Sequence, residues 1–533
     1  MASSLAPVAH SLTTDTTHPR IDVLVQLAVL AALYALINFV MSANTLGPLH
    51  QDDYLALGWA GFDLLWPWPR PVSSNIIVLA GSVGPWFSYA LLTTLAIVVP
   101  LLTLRFFERL FALRTSLAML VVFGMLVYSH PSAFEQGKLL GVFTNHSSHF
   151  FGMLALLWIW DAWTRGGRWR ACLALLAIAL SILAKEDFVA PPLLLVAYLW
   201  WRDWRSPAGA TTAGENMTAR LPTRWRNGLV LAVCLVVAAS LTYALALADN
   251  PFVAGLMGGT ASNASYAVGL TPTALLDAFR RLTLEYAFWV ASLGAAAWVT
   301  GLLVLKGRRR ELLLVAAITG SLMLPYAMLP NNMPAFRVYS WLAWLSGLVI
   351  VVLPLLAKRA SSAGPRLTPR MASAATAIVG LALGSAVVLK HRAERAGIVE
   401  WYRTTQAIQR NMLDTLIHQR ALLADHPNIG ISGIQGLSPW SQTNAEYLRN
   451  RMGLDNRWII FVEQDSMFFQ IDPAVVDENS LPGKSHVGAR QIGQSCKTPD
   501  LPVLQFDAAG HGRVTTAREI CRLLYKSTIP PQS

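Results

Sequence analysis

The chain has 533 residues, of which 54% are hydrophobic and 14% charged, and its formal net charge is +12. Soluble domains carry roughly 25% charged residues, so this composition excludes an ordinary soluble enzyme and indicates an integral membrane protein. The positive charge would suit nucleic-acid binding. The basic residues lie beside apolar runs, however, where they indicate the positive-inside bias of membrane proteins instead.

Long apolar runs dominate the first three quarters of the chain. Residues 1–20 are polar and lack a signal-peptide pattern. The run from Ile21 to Met41 is long enough to cross a membrane, since about 20 residues span the hydrocarbon, and no small-residue cleavage site follows it. Eleven spans are predicted, at 21–41, 83–104, 116–129, 149–163, 171–184, 188–201, 228–248, 286–305, 311–329, 338–357 and 372–390. The predicted fold class is a mainly α, polytopic transmembrane helical bundle.

The loops between these spans alternate in charge. One set holds nineteen basic residues: Arg105, Arg109, Arg114, Arg165, Arg168, Arg170, Arg202, Arg205, Arg220, Arg224, Arg226, Lys306, Arg308, Arg309, Arg310, Lys358, Arg359, Arg366 and Arg370. The opposite set holds six: Arg70, Lys138, Lys185, Arg280, Arg281 and Arg337. Because basic residues stay cytoplasmic, we predict a multi-pass protein of a bacterial inner membrane with a cytoplasmic N-terminus and an extracytoplasmic C-terminal tail.

The segment 171–201 allows either one long span or two short spans that turn at Lys185-Glu186-Asp187. A single span would place all later basic loops outside, against the charge bias, so we predict a hairpin. Its arms of about 14 residues are shorter than a usual span. The turn is therefore expected to lie below the outer surface, either buried in protein or lining a wet cavity.

The predicted domains are a cytoplasmic tail at 1–20, a membrane module at 21–390 with a first outer loop at 42–82, and a periplasmic unit at 391–533. That unit begins with a helix that leaves the membrane, from His391 to about Leu423. Apolar runs at Asn428–Ile434 and Arg457–Val462 are separated by Gly, Pro and Asp, which is typical of a small α/β domain. Cys496 and Cys521 lie in the same unit and are expected to form a disulfide in an oxidising compartment.

Two adjacent carboxylates, Asp52 and Asp53, begin the first outer loop. After them Leu55, Trp59 and Phe62 recur at helical spacing, which predicts a helix lying in the membrane interface. Such a helix would hold the carboxylates at the lip of a cavity. Adjacent helical residues are about 100° apart, so one Asp can act as a base while the other orients it, caps the helix or contributes to a metal site. Simple capping of the helix is the alternative.

Lys185 and Glu186 form a second candidate site. Ionisable residues at membrane depth cost about 2.5–3.5 kcal/mol each on insertion scales and are functional candidates by default. The alternative is a turn that satisfies its own charges.

His146 and His149, at the start of the fourth span, are spaced i,i+3 on one helix face. They suit either a metal site or polar capping at the interface.

Two outer-face arginines, Arg70 and Arg337, lie beside spans. The guanidinium fork of arginine binds two phosphate oxygens at once, so both are candidates for binding phosphate. The alternative is that each snorkels to the membrane interface.

The chain contains neither a Walker-type phosphate loop nor a GxSxG elbow, so ATP-driven transport and an α/β-hydrolase site lack support.

The order of these motifs resembles the GT-C superfamily, the polytopic glycosyltransferases that use polyprenyl-phosphate sugars, including protein O-mannosyltransferase-like and arabinosyltransferase-like enzymes. The resemblance lies in an acidic pair in the first outer loop, then Arg-Pro, Asn/His residues opening the fourth span, Lys-Glu at a short outer turn, and a soluble outer tail. It covers roughly residues 20–390 in layout, and the tail at 391–533 resembles no particular family.

This resemblance implies roles for single residues. Asp52 matches the acidic residue that acts as general base, with Asp53 as its neighbour or substitute. The Lys185-Glu186 turn is similar to the Lys-Glu element near the donor phosphate, and Arg337 corresponds to a phosphate contact on charge and placement only. The implied reaction is inverting transfer of a sugar from a polyprenyl-phosphate donor to an extracytoplasmic glycan, lipid or protein.

Two other functions compete with this prediction. A transporter or flippase for a lipid-linked glycan would have internally similar halves with broken helices in both, and the sequence has one short hairpin without a counterpart. A non-catalytic envelope scaffold would depend on the tail rather than on the acidic pair. The sugar, the acceptor, the need for a divalent metal and the oligomeric state stay open.

Overall fold

The computed structural model of this chain describes residues 23–42, 70–136, 143–204, 223–246, 269–329, 338–362, 368–419, 428–432, 458–461 and 500–519. The α-helices in these ranges are α1 Val23–Ser42, α2 Pro71–Val83, α3 Pro85–Phe111, α4 Leu117–Tyr128, α5 Pro131–Gln136, α6 Phe143–Arg165, α7 Arg168–Ala184, α8 Ala190–Trp204, α9 Thr223–Ala246, α10 Pro272–Arg280, α11 Phe288–Val304, α12 Arg309–Ala327, α13 Tyr339–Ser362 and α14 Pro369–His418.

Each of the eleven predicted spans coincides with one of these helices. Five helical segments in the described residues are long and apolar enough to cross a membrane by themselves: Trp86–Phe111, Trp225–Ala246, Lys306–Ala327, Tyr339–Ser362 and Arg370–Glu400. A sixth crossing would combine the segment 272–285 with α11, which are bent by 103° against each other. The polytopic helical bundle is therefore confirmed, while the number of crossings stays a prediction.

The packing of the bundle places α6 near its centre, with α3, α7 and α8 among its neighbours. Fully buried large side chains on three helices, Phe106 and Phe107 of α3, Trp163 of α6 and Trp344 of α13, fill this interior. Helices that are apolar around most of their circumference are typical of buried or membrane-embedded segments. Exposed leucines on α9 and α11, such as Leu231 and Leu303, mark the surface that suits lipid.

The start of α6 differs from the sequence prediction, whereas α14 agrees with it. α6 begins at Phe143 rather than near residue 149, so Asn145, His146 and His149 lie inside the first two turns of the helix. α14 is one 50-residue helix that continues to His418, as expected for a helix that leaves the membrane. The stretch 144–148 is polar, so a search for apolar runs misses the first turns of α6.

The predicted turn at residues 185–187 is a break between two helices. α7 ends at Ala184, Lys185 is extended with φ −169° and ψ 144°, and Glu186–Phe188 form one 3₁₀ turn before α8 begins at Ala190. The interruption predicted from the charged residues is thus confirmed.

The C-terminal part contains a mixed sheet of β1 Asn428–Ser432, β2 Trp458–Phe461, β3 Pro502–Phe506 and β4 Gly512–Thr516. The strand order is β2-β1-β3-β4, in which the first three strands are parallel and β4 is antiparallel to β3. Thr415 of α14 accepts a hydrogen bond from the Gly512 amide at 3.1 Å, which joins the sheet to the helix. The apolar runs Asn428–Ile434 and Arg457–Val462 contain β1 and β2, so the C-terminal strands of the predicted fold class are confirmed, while the boundaries of a separate domain stay a prediction.

The end of the bundle that carries the basic loops is fastened by ion pairs. Arg109 lies 2.9 Å from Asp161, and Arg226 lies 2.5 Å from Asp203. The Trp163 indole also donates to Asp203 at 2.8 Å. Asn145 lies near the other end of α6 from Asp161, about 24 Å away at 1.5 Å per residue. The arginine-rich end and the end that holds the predicted site are therefore opposite ends of the same bundle.

Candidate functional site

An ion pair between Arg70 and Glu186 joins α2 to the break after α7. Arg70 directly precedes α2, and its Nη2 lies 3.2 Å from Glu186 Oε1 while its Nε lies 3.5 Å from Oε2. Both distances exceed the 2.7–2.9 Å, roughly, of a strong charge-assisted hydrogen bond. The two side chains are 26% and 14% exposed. This pair is loose and partly open to its surroundings.

The neighbouring pair, Lys185 and Asp187, is tight and buried. Their charged groups lie 2.7 Å apart, and the side chains are only 8% and 4% exposed. The Lys185 ammonium also donates to Asn145 Oδ1 at 2.6 Å and to the Tyr326 hydroxyl at 3.1 Å. The Tyr326 hydroxyl in turn donates to the Asp187 carboxylate. These four side chains, two from the break and one each from α6 and α12, form a buried polar network.

Serine side chains hold the backbone around this break. Ser148 on α6 donates to the Lys185 carbonyl at 2.9 Å, and Ser73 on α2 donates to the Ala184 carbonyl at 2.9 Å. Ser181 on α7 donates to the Ser148 carbonyl at 2.7 Å. Carbonyls at a helix C-terminus lack intrahelical partners. Here the hydroxyls of neighbouring helices satisfy them, which fixes where the two ion pairs lie.

The two histidines of α6 contact different neighbours. The His146 ring packs edge-on against Tyr339 of α13, with 5.4 Å between centroids, and His149 packs edge-on against Phe188 at 5.4 Å. Sharing a face on α6 therefore does not bring them to one ligand position. Within the described ranges no group of three His, Cys, Asp or Glu side chains could hold a metal ion.

One ring nitrogen of His149 lacks a hydrogen-bond partner in the part of the chain that the structure describes. Its Nδ1 lies 2.8 Å from the Asn145 carbonyl oxygen, and since a carbonyl only accepts, Nδ1 must carry the hydrogen. The other nitrogen, Nε2, is then an acceptor. It is buried and has no hydrogen-bond partner among the described residues. An orphaned buried acceptor of this kind suits a hydroxyl or amino group of a ligand, or a bound water.

A close contact below the break depends on Gly152. The ring of Phe188 lies directly over this glycine, so that a Cβ added there would be only 2.3 Å from Phe188 Cδ1. Phe188 is fully buried and His149 packs on it. Because Gly152 has no side chain, the 3₁₀ turn can pack closely against α6.

A second polar cluster fastens α14 to the bundle. Arg395 is completely buried, and its Nη2 donates to the Tyr128 and His130 carbonyls at 2.7 and 3.0 Å while Nη1 donates to Asn38 Oδ1 at 3.1 Å. The rings of His130 and His391 meet edge-on with 4.9 Å between centroids. The helix that leads to the C-terminal sheet is thereby connected to α1 and to the end of α4.

The structure brings Arg70, His149, Lys185 and Glu186 together around the break, and His146 lies on the same stretch of α6. Asp52, Asp53, Arg337, Cys496 and Cys521 lie outside the described residues. Sequence reasoning missed Tyr326, because a tyrosine near the end of an apolar span is an ordinary feature of a membrane interface. It also missed the Arg395 cluster, where Asn38 inside an apolar run was the available signal.

No protein-family model matches this sequence, and no curated protein matches it either. A solved structure is similar in fold: ArnT from Cupriavidus metallidurans in the apo state, with a TM-score of 0.52 and 13% sequence identity, covering 94% of this chain and 94% of that chain. The chain is a polytopic helical membrane protein whose fold is similar to that of ArnT. The fold that the sequence resemblance implied is confirmed on this comparison.

Proposed function

We propose that this protein is a membrane glycosyltransferase that moves a sugar from a polyprenyl-phosphate donor to an extracytoplasmic acceptor with inversion. The observation that carries the proposal is the polar break after α7. There, two ion pairs and an imidazole nitrogen that has no partner among the described residues lie at the end of the bundle opposite its arginine-rich end. Charged groups at membrane depth are costly and mark functional sites by default. The GT-C-type fold supports the same assignment.

The proposed orientation places the N-terminus in the cytoplasm and the polar break near the outer surface. The distribution of basic residues supports this orientation, since the Arg109–Asp161 and Arg226–Asp203 pairs lie at the opposite end. An outward-facing site suits a lipid-linked donor, because nucleotide sugars are cytoplasmic. The arrangement fits a bacterial inner membrane protein whose C-terminal sheet is periplasmic.

The proposed reaction needs one general base. Asp52 takes the proton of the acceptor hydroxyl while that oxygen attacks the anomeric carbon. The bond between this carbon and the phosphate oxygen breaks, and its electron pair leaves with the polyprenyl phosphate. Attack opposite to the leaving group inverts the configuration. Asp53 orients the base or substitutes for it.

Cations near the break stabilise the charge that develops on the leaving phosphate. Arg70 and Arg337 are the proposed phosphate contacts, and Lys185 with Glu186 belongs to the same region. His149 Nε2 is proposed to accept a hydrogen bond from a hydroxyl or amino group of the donor sugar, and His146 lines the neighbouring part of α6. The identity of the sugar follows from none of these contacts.

The test is a transfer assay with lipid-linked sugars in membranes that contain the chain. Asp52→Asn is expected to lower transfer roughly 10²–10⁴-fold, the usual contribution of a general base, and Asp53→Asn is measured beside it. Asp500→Asn is the matched control, because the Asp500 side chain is 89% exposed near the C-terminal sheet. Full transfer by both Asp52→Asn and Asp53→Asn would rule out the mechanism.

A further inference from the structure

The two cations at the break, Arg70 and Lys185, are held in different ways. Lys185 donates to three protein acceptors, Asp187, Asn145 and Tyr326, and an ammonium has three hydrogens to donate. Its side chain is only 8% exposed. Arg70 pairs with Glu186 at longer distances, and 26% of its side chain is exposed. The two positions therefore have different capacities to take a new anion.

We infer that Arg70 binds the donor phosphate in exchange for Glu186, and that Lys185 is a positioning residue that does not touch the phosphate. This inference rests on the proposed function. In the structure Glu186 occupies the guanidinium fork of Arg70. The phosphodiester of the incoming donor offers two oxygens to the same guanidinium fork and carries the same single negative charge as the carboxylate. It displaces the carboxylate from Arg70, while the Lys185–Asp187 pair stays closed.

The geometry favours exchange at Arg70 over exchange at Lys185. Opening the Lys185 pair would leave Asp187 charged and almost completely buried, which is strongly unfavourable for a carboxylate. Opening the Arg70 pair leaves Glu186, whose side chain is 14% exposed. The freed carboxylate can accept from a hydroxyl or amino group of the sugar. Its return to Arg70 then helps the product phosphate to leave.

The role of Lys185 is to fix the place of this exchange. Its ammonium joins α6 through Asn145 and α12 through Tyr326, and its carbonyl accepts from Ser148. Glu186 is the next residue in the chain, so the clamp on Lys185 determines where the Glu186 carboxylate meets Arg70. Of the two neighbouring residues, Lys185 therefore has a positioning role, and Glu186 is the partner of Arg70 that the phosphate replaces.

Binding of undecaprenyl phosphate to the full chain in lipid nanodiscs tests the inference, with undecaprenol as the neutral probe. Glu186→Gln removes the competing carboxylate and is expected to lower the Kd for undecaprenyl phosphate about fivefold. This fold-change corresponds to the free energy of one partly exposed ion pair. Arg70→Met is expected to weaken it about 10- to 100-fold, as for lost charge-assisted hydrogen bonds. When Glu186→Gln is added to the Arg70→Met variant, the affinity for undecaprenyl phosphate should not change further.

Matched controls come from a second arginine pair on the same side of the bundle. Glu285 lies 3.2 Å from Arg280, the same separation as in the Arg70 pair, and both side chains are about half exposed. Glu285→Gln and Arg280→Met should leave the affinity for undecaprenyl phosphate unchanged. The double variant Lys185→Met/Asp187→Asn should also retain it, and Tyr326→Phe provides the same test without a change of charge.

A steady-state measurement adds a signature that a structural role would not produce. Glu186→Gln is expected to lower both KM for the lipid donor and kcat, because phosphate binds more tightly and leaves more slowly. The inference is overturned if Glu186→Gln does not tighten binding, if Arg70→Met binds like the wild type, or if Lys185→Met/Asp187→Asn and Tyr326→Phe both lose the phosphate. If the wild type does not prefer undecaprenyl phosphate to undecaprenol, the proposed function itself fails.

Discussion

The hydroxyl of Tyr326 lies 3.1 Å from the ammonium of Lys185, although 141 positions separate the two residues in the chain. The same hydroxyl donates to the Asp187 carboxylate, the counterion of this lysine. One oxygen therefore connects both members of a buried ion pair. It also connects α12 to the break between α7 and α8.

Replacing Tyr326 by phenylalanine tests this connection. The ring and its contact with Trp341 are kept, while a buried donor and a buried acceptor lose their partner. Such a loss costs about 1–3 kcal/mol in the free energy of unfolding. Thermal unfolding in detergent measures it. Tyr243→Phe is the control, because Tyr243 is 53% exposed on α9, and equal unfolding temperatures for the two variants would contradict the account.

The Lys185–Asp187 pair should behave as a unit. Asp187→Asn leaves a buried ammonium without its counterion, which costs about 3–5 kcal/mol in stability. Removing both charges in Lys185→Met/Asp187→Asn should recover much of this loss, since the buried uncompensated charge is gone. Unfolding temperatures of the single and double variants give the comparison. A double variant less stable than Asp187→Asn would show that the two charges are not coupled.

Gly152 gives a steric prediction with a close internal control. Alanine at this position must displace the Phe188 ring, so we expect a loss of about 1–3 kcal/mol, as for overpacking of a filled core. No atom of the described residues lies within 4 Å of a Cβ added at Gly320 on α12, so Gly320→Ala should be neutral or slightly stabilising because alanine favours the helix. The free energy of unfolding of the two variants is measured under the same conditions. A Gly152→Ala variant as stable as the wild type would contradict the close contact with Phe188.

Arg395 is expected to hold α14 against the bundle. Lysine keeps the charge but cannot reach two carbonyls and the Asn38 amide oxygen with one fork, so Arg395→Lys should lower stability by about 1.5–3 kcal/mol. The rate of proteolysis within α14 should rise as well. Arg392→Lys, an exposed neighbour on the same helix, serves as the control. Unchanged proteolysis in Arg395→Lys would mean that the cluster does not fasten this helix.

The features that could be predicted from the sequence are those that depend on local pattern. Apolar runs located eleven of the helices but missed the shorter α2, α5 and α10, and α2 lies in the stretch predicted as the first outer loop. The charged triplet after Ala184 located the break between α7 and α8. The predicted start of α6 is too late because residues 144–148 are polar, although Asn145, His146 and Ser148 are buried and contact groups outside this helix. Hydropathy reports the average surroundings of a segment and is insensitive to such pairing.

The partners within the site could not be predicted in the same way. Lys185 next to two carboxylates allowed pairing with either one, and the pattern gave no reason to choose Asp187 over Glu186. The choice depends on Arg70, Asn145 and Tyr326, which lie far away in the chain and meet the break only after the bundle has packed. Contacts between distant helices leave no periodic signal in a single sequence.

The central claim is that a sugar leaves a polyprenyl phosphate and joins an extracytoplasmic acceptor. The most direct measurement uses the purified wild type in proteoliposomes with an envelope extract as acceptor, supplied with a panel of radiolabelled polyprenyl-phosphate sugars or with the corresponding nucleotide sugars. We predict labelled product from at least one lipid donor, with one polyprenyl phosphate released per sugar transferred, and no product from the nucleotide sugars. Movement of the lipid-linked sugar across the bilayer without any transfer would contradict the claim and identify a transporter instead.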